Sequence, residues 1–462
     1  MTAGTVLLRR GNIAPLLLVN LGVGMHAMIW YMASTVLPST VADLNAAAFI
    51  GWATTVYLVT MILGAVLMAQ VKAHWGARLA MLAAGLVVVL GGAVAAMAPS
   101  IHQVLAGRAL QGLGEGLLVA LSYSLVRELF DNALVPKIFG TQAATWGIAI
   151  FLGPVLGGWL TEMWSWRAAF WGAALLPLPL LALAWRTLGQ PRAERTMPQS
   201  TPLLRLFLLA SGVMAITVAD RLAPAALGVL SVAMGLLLIT LVLRLDQRRA
   251  PHLFPTVFTA MRHPVSLGLW VTFLMPLAQA PVYVYVPYLL QMHRELSPTL
   301  AGILGASHAI AWSATAMLAP LLPPRWHLHT IVAGPLLLTL GLAGLSLTIA
   351  TQALVLVVIA LVLVGMGFGV CNMFINQRVL AAAQPGQEDT TAAAIPTLQG
   401  LGGAISAALA GLVGNAMGLD LHLSATAVQH ATLAMFGGGA VIAFGSVLMS
   451  LRFVRSLVRR TV

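Results

Sequence analysis

Long apolar runs set the first limit on this chain, because about 20 residues with almost no charge is the length that crosses a bilayer as a helix. Such runs lie near 14–37, 48–70, 78–98, 103–125, 137–161 and 167–186, then near 203–219 and 222–243, then near 265–290, 299–321, 330–350, 353–376, 391–417 and 428–451. Groups of six, two and six make fourteen spans. A break rich in Arg, Pro, Glu and Gln (189–202) and a polar stretch (244–263) separate the groups, which gives a layout of 1–188, 189–264 and 265–462. With 60% hydrophobic residues, 8% charged and a mean hydropathy of +0.94, the chain reads as an all-α membrane protein immersed in a lipid bilayer. The first run exceeds the roughly 7–15 residues of a signal-peptide core, so it counts as a span.

Charge tests the division. Lys and Arg number 24 against 12 acids, a net +12 that in a soluble chain would suggest nucleic acid. Here the cations fall in short connectors: twenty on one side of the membrane, three (Arg167, Arg221 and Arg294) on the other, and Arg108 inside a span. Under the positive-inside rule both termini are then cytoplasmic, and no nucleic-acid partner is expected; a bacterial-type inner (plasma) membrane is the expected location. A twelve-span arrangement shares that parity; the lengths of 203–219 and 222–243 favour fourteen. A single cysteine, Cys371, excludes an internal disulfide and a Cys-based metal site. No Walker A sequence and no metal-ligand spacing occur, so neither a cofactor nor an enzyme is expected, and an ion gradient is the expected energy source.

Gly112-Leu-Gly114-Glu115-Gly116 in the fourth span is echoed by Gly365-Met-Gly367-Phe368-Gly369 in the twelfth. Setting the middle pair aside, both are the fourth helix of a six-helix half, as duplication would produce. The simpler reading is that glycine recurs wherever membrane helices pack closely.

Three patterns resemble the drug:proton antiporters of the major facilitator superfamily. In the fifth span Gly140, Ala149, Gly153-Pro154 and Gly157-Gly158 are similar to that branch's antiporter signature, with Ala149 in place of a glycine. Pro154 removes a backbone donor, while Gly153, Gly157 and Gly158 admit a close neighbour, so the segment is a bend or a packing seam. Arg108, Gln111, Gly112 and Gly114 resemble the family's arginine-bearing fourth-helix motif, and Trp164-Ser-Trp166-Arg167 with Phe170 resembles its entry to the sixth helix. The chain also departs from the family. Ala73 and His74 replace an aspartate and an arginine in the second connector, and Trp30 stands eight residues before Pro38, where an aspartate is often found. The resemblance implies two six-helix bundles, two extra helices between them, and proton-coupled efflux of hydrophobic or amphiphilic molecules by a monomer. A dedicated exporter of one metabolite or siderophore, and a non-transporting sensor or scaffold, are the alternatives.

Of the twelve acids only Glu115 is embedded in a span. Burial opposes a charged carboxylate and a nearby arginine favours it, so Glu115 with Arg108 is the expected proton-coupling pair, although a fixed structural ion pair is the alternative. Seven residues apart, they share a helix face at a separation of about 10 Å. His26 and His308 also lie within spans, where a histidine either carries protons or joins helices. With Trp30, Gln111, Gln142, Trp146, Gln279, Tyr283, Trp312, Asn372 and Asn376 they form the expected wall of the cargo cavity, mixed polar and aromatic.

Overall fold

The computed structural model describes residues 10–131, 134–189, 203–222, 224–248, 250, 252–350, 353–419 and 424–461. Arg9, Arg192, Glu194, Arg195, Arg249 and Asp420, and most of the break before the middle pair (190–202), lie outside the described residues. The rest is helical, with no strand among the described residues. In hydrocarbon a backbone must satisfy its own polar groups, and a helix does so within one segment.

The helices are α1 (Arg10–Asp43), α2 (Ile50–Ala96), α3 (Ile101–Leu129), α4 (Val135–Met163), α5 (Trp166–Leu175), α6 (Pro177–Thr187), α7 (Leu203–Val218) and α8 (Ala225–Arg248). There follow α9 (Pro264–Met292), α10 (Pro298–Leu318), α11 (His327–Thr348), α12 (Leu354–Ala381), α13 (Glu388–Ala416), α14 (Ala425–Thr432) and α15 (Gly438–Thr461). Thirteen stretches of the described residues are long and apolar enough to cross a membrane, with α5 and α6 making one of them.

The sequence suggests a connector between 70 and 78, but helix continues through it to a single break at Gly76 (φ 73°, ψ 166°). Only glycine takes that backbone conformation without strain. The limbs on either side of Gly76 run in opposite directions beside α3. Along α3, Gly112 and Gly116 meet Tyr57 and then Met61 of the first limb, whereas Gly107 and Gly114 meet Ala95 and then Ala84 of the second. α2 is therefore a hairpin.

By compactness the chain falls into two units, Met1–Asn45 with Val56–Thr201 and Leu296–Ile303, and Ala46–Thr55 with Pro202–Glu295 and Leu304–Val462. The first has a core that includes Leu18, Ile29, Met81, Val88, Leu118 and Leu180. In the second, α9 packs on α13 and α15, α11 on α12, and the α7–α8 pair packs through α7 on α13. Gly212 and Gly235 face each other across that pair. Its ends are tied by the buried Asp246 carboxylate, which accepts from Arg205 Nη1 (2.6 Å) and from the backbone N–H groups of Leu253 (2.7 Å) and Phe254 (2.9 Å).

Candidate functional site

Glycine fixes the register on which the site depends. A methyl group at Gly112 would lie 2.2 Å from the carbonyl oxygen of Tyr57, and one at Gly116 would lie 2.1 Å from that of Met61. With no Cβ at these positions α3 presses its backbone against the first limb of α2, which sets Tyr57 beside Glu115.

Glu115 is fully buried, and one of its oxygens is the centre of a cluster. Oε2 accepts from the Tyr57 hydroxyl at 2.5 Å and lies 2.7 Å from His26 Nδ1, while Tyr57 Oη and His26 Nδ1 are 3.0 Å apart. The second carboxyl oxygen, Oε1, is buried with no hydrogen-bond partner. Arg108 does not pair directly with Glu115: its guanidinium lies 4.1 Å from the centre of the Tyr57 ring, and its Nη1 donates to Gln111 Oε1 at 2.7 Å. The cation therefore reaches the carboxylate through a tyrosine that it faces as a cation–π partner. Arg108, Gln111, Tyr57 and His26 are all buried.

This arrangement has room for one proton in more than one place. With Glu115 ionised, Oε2 accepts from Tyr57 O–H and, in the Nδ1–H tautomer, from His26; with Glu115 protonated at Oε2, the carboxyl donates to Nδ1 of the Nε2–H tautomer. Tyr57 is the member that the sequence reading misses. It stands in an apolar run with no spacing that links it to Glu115, and only the glycines at 112 and 116 hint that a helix comes close there.

The other expected residues of the first unit gather nearby. The Trp30 ring centre is 5.2 Å from that of Tyr57, and the Trp146 ring meets His26 edge-on at 5.5 Å. Gln142 donates to the Val19 carbonyl at 3.3 Å. In the bend motif, Pro154 lies inside a continuous α4, and a Cβ at Gly153 or Gly157 would crowd the α1 backbone at Met28 or Met32. A Cβ at Gly158 would sit 2.4 Å from Thr299 Cα, and Glu162 accepts from the Thr299 N–H at 2.7 Å. Ser165 caps α5, while Trp166 Nε1 and Arg167 both donate to Asp43, so the Trp-Ser-Trp-Arg motif works as a clamp. Where the family's acidic connector residue is replaced by Ala73, the preceding Lys72 pairs with Glu128 and donates to Ser124.

The second unit repeats the same packing without the carboxylate. A Cβ at Gly365 would fall 1.7 Å from the His308 carbonyl oxygen, and one at Gly369 would fall 2.3 Å from that of Trp312. His308 and Trp312 thus occupy the places that Tyr57 and Met61 hold against α3, and Phe368 occupies that of Glu115. Around them, the Tyr283 ring meets His308 at 5.0 Å and Trp312 meets Phe368 at 5.0 Å. Asn372 Oδ1 accepts from Asn376 (3.5 Å) and from Gln399 (3.3 Å), the latter not anticipated from sequence, and Gln279 is buried on α9. No group of metal-binding side chains occurs among the described residues.

A family profile described as Major Facilitator Superfamily matches residues 19–407. A Mycobacterium tuberculosis protein named "Probable multidrug-efflux transporter" is 31% identical over 410 residues, 85% of this chain and 86% of the relative. A "Multidrug resistance protein B homolog" from the same species is 27% identical over 403 residues, 80% of this chain and 70% of that one. Among solved structures, the POT family transporter PepTSo superposes with a TM-score of 0.69 at 15% identity, covering 95% of this chain and 98% of its own, a likeness of fold.

Proposed function

Because the chain belongs to the major facilitator superfamily, we propose that it exports hydrophobic or amphiphilic small molecules, drugs among them, across a bacterial inner membrane in exchange for protons. The observation that carries the reading is the buried cluster of Glu115, His26 and Tyr57, in which a fully buried carboxyl group near the middle of α3 meets a histidine and a tyrosine. The multidrug names of the relatives agree with the cargo class. In this reading the chain crosses the membrane fourteen times, with α2 contributing two crossings and both termini in the cytoplasm.

Glu115 takes a proton from the outer side and releases it inward. Each protonation state fits a different donor pattern at Oε2, so proton occupancy shifts the balance between outward- and inward-facing states. Arg108 keeps the ionised form tolerable through Tyr57. The bend at Gly153-Pro154 and the seam at Gly157-Gly158 serve the movement, and the polar and aromatic residues from Trp30 to Asn376 receive the cargo.

The test is transport of a cationic fluorescent dye into inside-out vesicles from a host lacking other pumps. The wild-type protein concentrates dye when respiration acidifies the lumen, and collapse of the pH gradient abolishes this. Glu115→Gln keeps the shape of the side chain but loses gradient-driven accumulation. Undiminished accumulation by that variant removes Glu115 from the mechanism, and wild-type vesicles that never concentrate any dye refute the efflux reading.

A further inference from the structure

Four arginines line one groove of the second unit, where α9 begins and α15 ends. Arg452, Arg455 and Arg459 come from the last turns of α15, and Arg262 from the segment before α9. At 3.6 residues per turn the three on α15 share one helix face. All four are exposed, and none takes part in any of the five ion pairs found among the described residues. The carbonyls at the C-terminus of α15 offer only a partial negative charge, so most of the positive charge is left for an outside anion to neutralise.

The groove is not wholly polar. Met261, exposed beside the four arginines, forms its apolar side, just before α9, a helix long and apolar enough to cross a membrane. The ligand that fits is anionic at one end and hydrocarbon at the other. By the distribution of Lys and Arg, these residues also lie on the cytoplasmic face, where basic segments meet anionic lipid.

We infer that the groove of Arg262, Arg452, Arg455 and Arg459 binds the headgroup of an anionic phospholipid. The site is separate from the Glu115 cluster and does not depend on the transport reading. The lipid ties the end of α15 to the start of α9, two segments that the arginines would otherwise push apart.

The full chain, purified in a neutral detergent, is titrated with dioleoylphosphatidylglycerol, with dioleoylphosphatidylcholine and with inorganic phosphate, while the thermal midpoint is followed. Phosphatidylglycerol raises the midpoint saturably, and the other two do not. Each arginine near an anionic headgroup strengthens binding about fivefold, so the triple variant R452Q/R455Q/R459Q needs about a hundredfold more phosphatidylglycerol. A control pair at another basic site, R325Q/R378Q, titrates like the wild type. Should the triple variant fail to fold, the single variants R262Q and R459Q, one from each wall, each shift the titration about fivefold. Wild-type titration by all the groove variants overturns the assignment. So does an equal response to inorganic phosphate, which would mark a site for free anions.

Discussion

Replacing Gly112 by alanine adds one methyl group where α3 meets the backbone of α2, and the structure fixes what must follow. The new Cβ would lie 2.2 Å from the Tyr57 carbonyl oxygen, so reaching an ordinary 3.4 Å contact requires a retreat of 1.2 Å. Neither atom belongs to a flexible side chain, so the helices themselves must part. If the whole shift passes to the Tyr57 ring, its 2.5 Å hydrogen bond to Glu115 opens to about 3.7 Å, beyond the usual limit of about 3.2 Å. Overpacking costs about 1–3 kcal/mol and loss of a hydrogen bond to a charged group about 1.5–3 kcal/mol. Gly112→Ala should therefore lower the thermal midpoint of the purified protein and reduce gradient-driven dye accumulation by about 10- to 100-fold, the scale set by a 1 Å misplacement. Gly445→Ala, on α15 and outside the antiporter-like pattern, is the internal control. Nothing lies within 4 Å of a Cβ there, and relief of a helical glycine should be neutral or slightly stabilising. A Gly112→Ala protein with wild-type accumulation and wild-type midpoint refutes the claim that this glycine sets the Tyr57–Glu115 geometry.

Other substitutions probe the remaining contacts. Tyr57→Phe keeps the ring beneath Arg108 but deletes the donor to Glu115; expression should hold while coupled transport falls, and equal transport in everted vesicles would show the hydroxyl to be idle. Asp246→Ala leaves Arg205 buried without its carboxylate and should cost about 3–5 kcal/mol, read as a lower midpoint in thermal or denaturant unfolding. Gly158→Ala, aimed at the Thr299 backbone, should disfavour the state in which they touch by about 1–3 kcal/mol, slowing transport while the protein still accumulates in the membrane at wild-type level. Burial, and then the neighbouring Arg294, hold the His293 imidazole below its usual range. The native state therefore binds fewer protons there than the unfolded chain. The stability this contributes is present above about pH 6.5 and is lost as pH falls, so His293→Asn should flatten the acid side of a midpoint-versus-pH curve.

Embedded charge is visible in one dimension, because an ionisable residue inside an apolar run is costly to bury and must have a partner, structural or functional. For that reason Glu115 and Arg108 stand out in the sequence, as does the antiporter-like glycine and proline pattern of α4. What Glu115 touches is another matter. Tyr57 lies 58 residues away and His26 lies 89 away, and neither separation follows any helical period. Their meeting is set by packing, and packing is set by which glycines face which carbonyls. Arg108 illustrates the same limit: its spacing from Gln111 predicts a neighbour one turn away, but not that an aromatic ring stands between the guanidinium and Glu115. The connector at 71–77 reads as a loop from its polar residues, whereas one glycine at positive φ allows helix to run almost through it.

Because α3 and α12 rest on the main-chain oxygens of residues 57, 61, 308 and 312, the fit between neighbouring rods is indifferent to what projects from those four positions. A tyrosine, a methionine, a histidine and a tryptophan already hang from the same kind of abutment. In the proposed transport reading, the side chains at these positions can thus be rewritten one at a time, for a new cargo or a new ion, while the architecture that carries them stays in register.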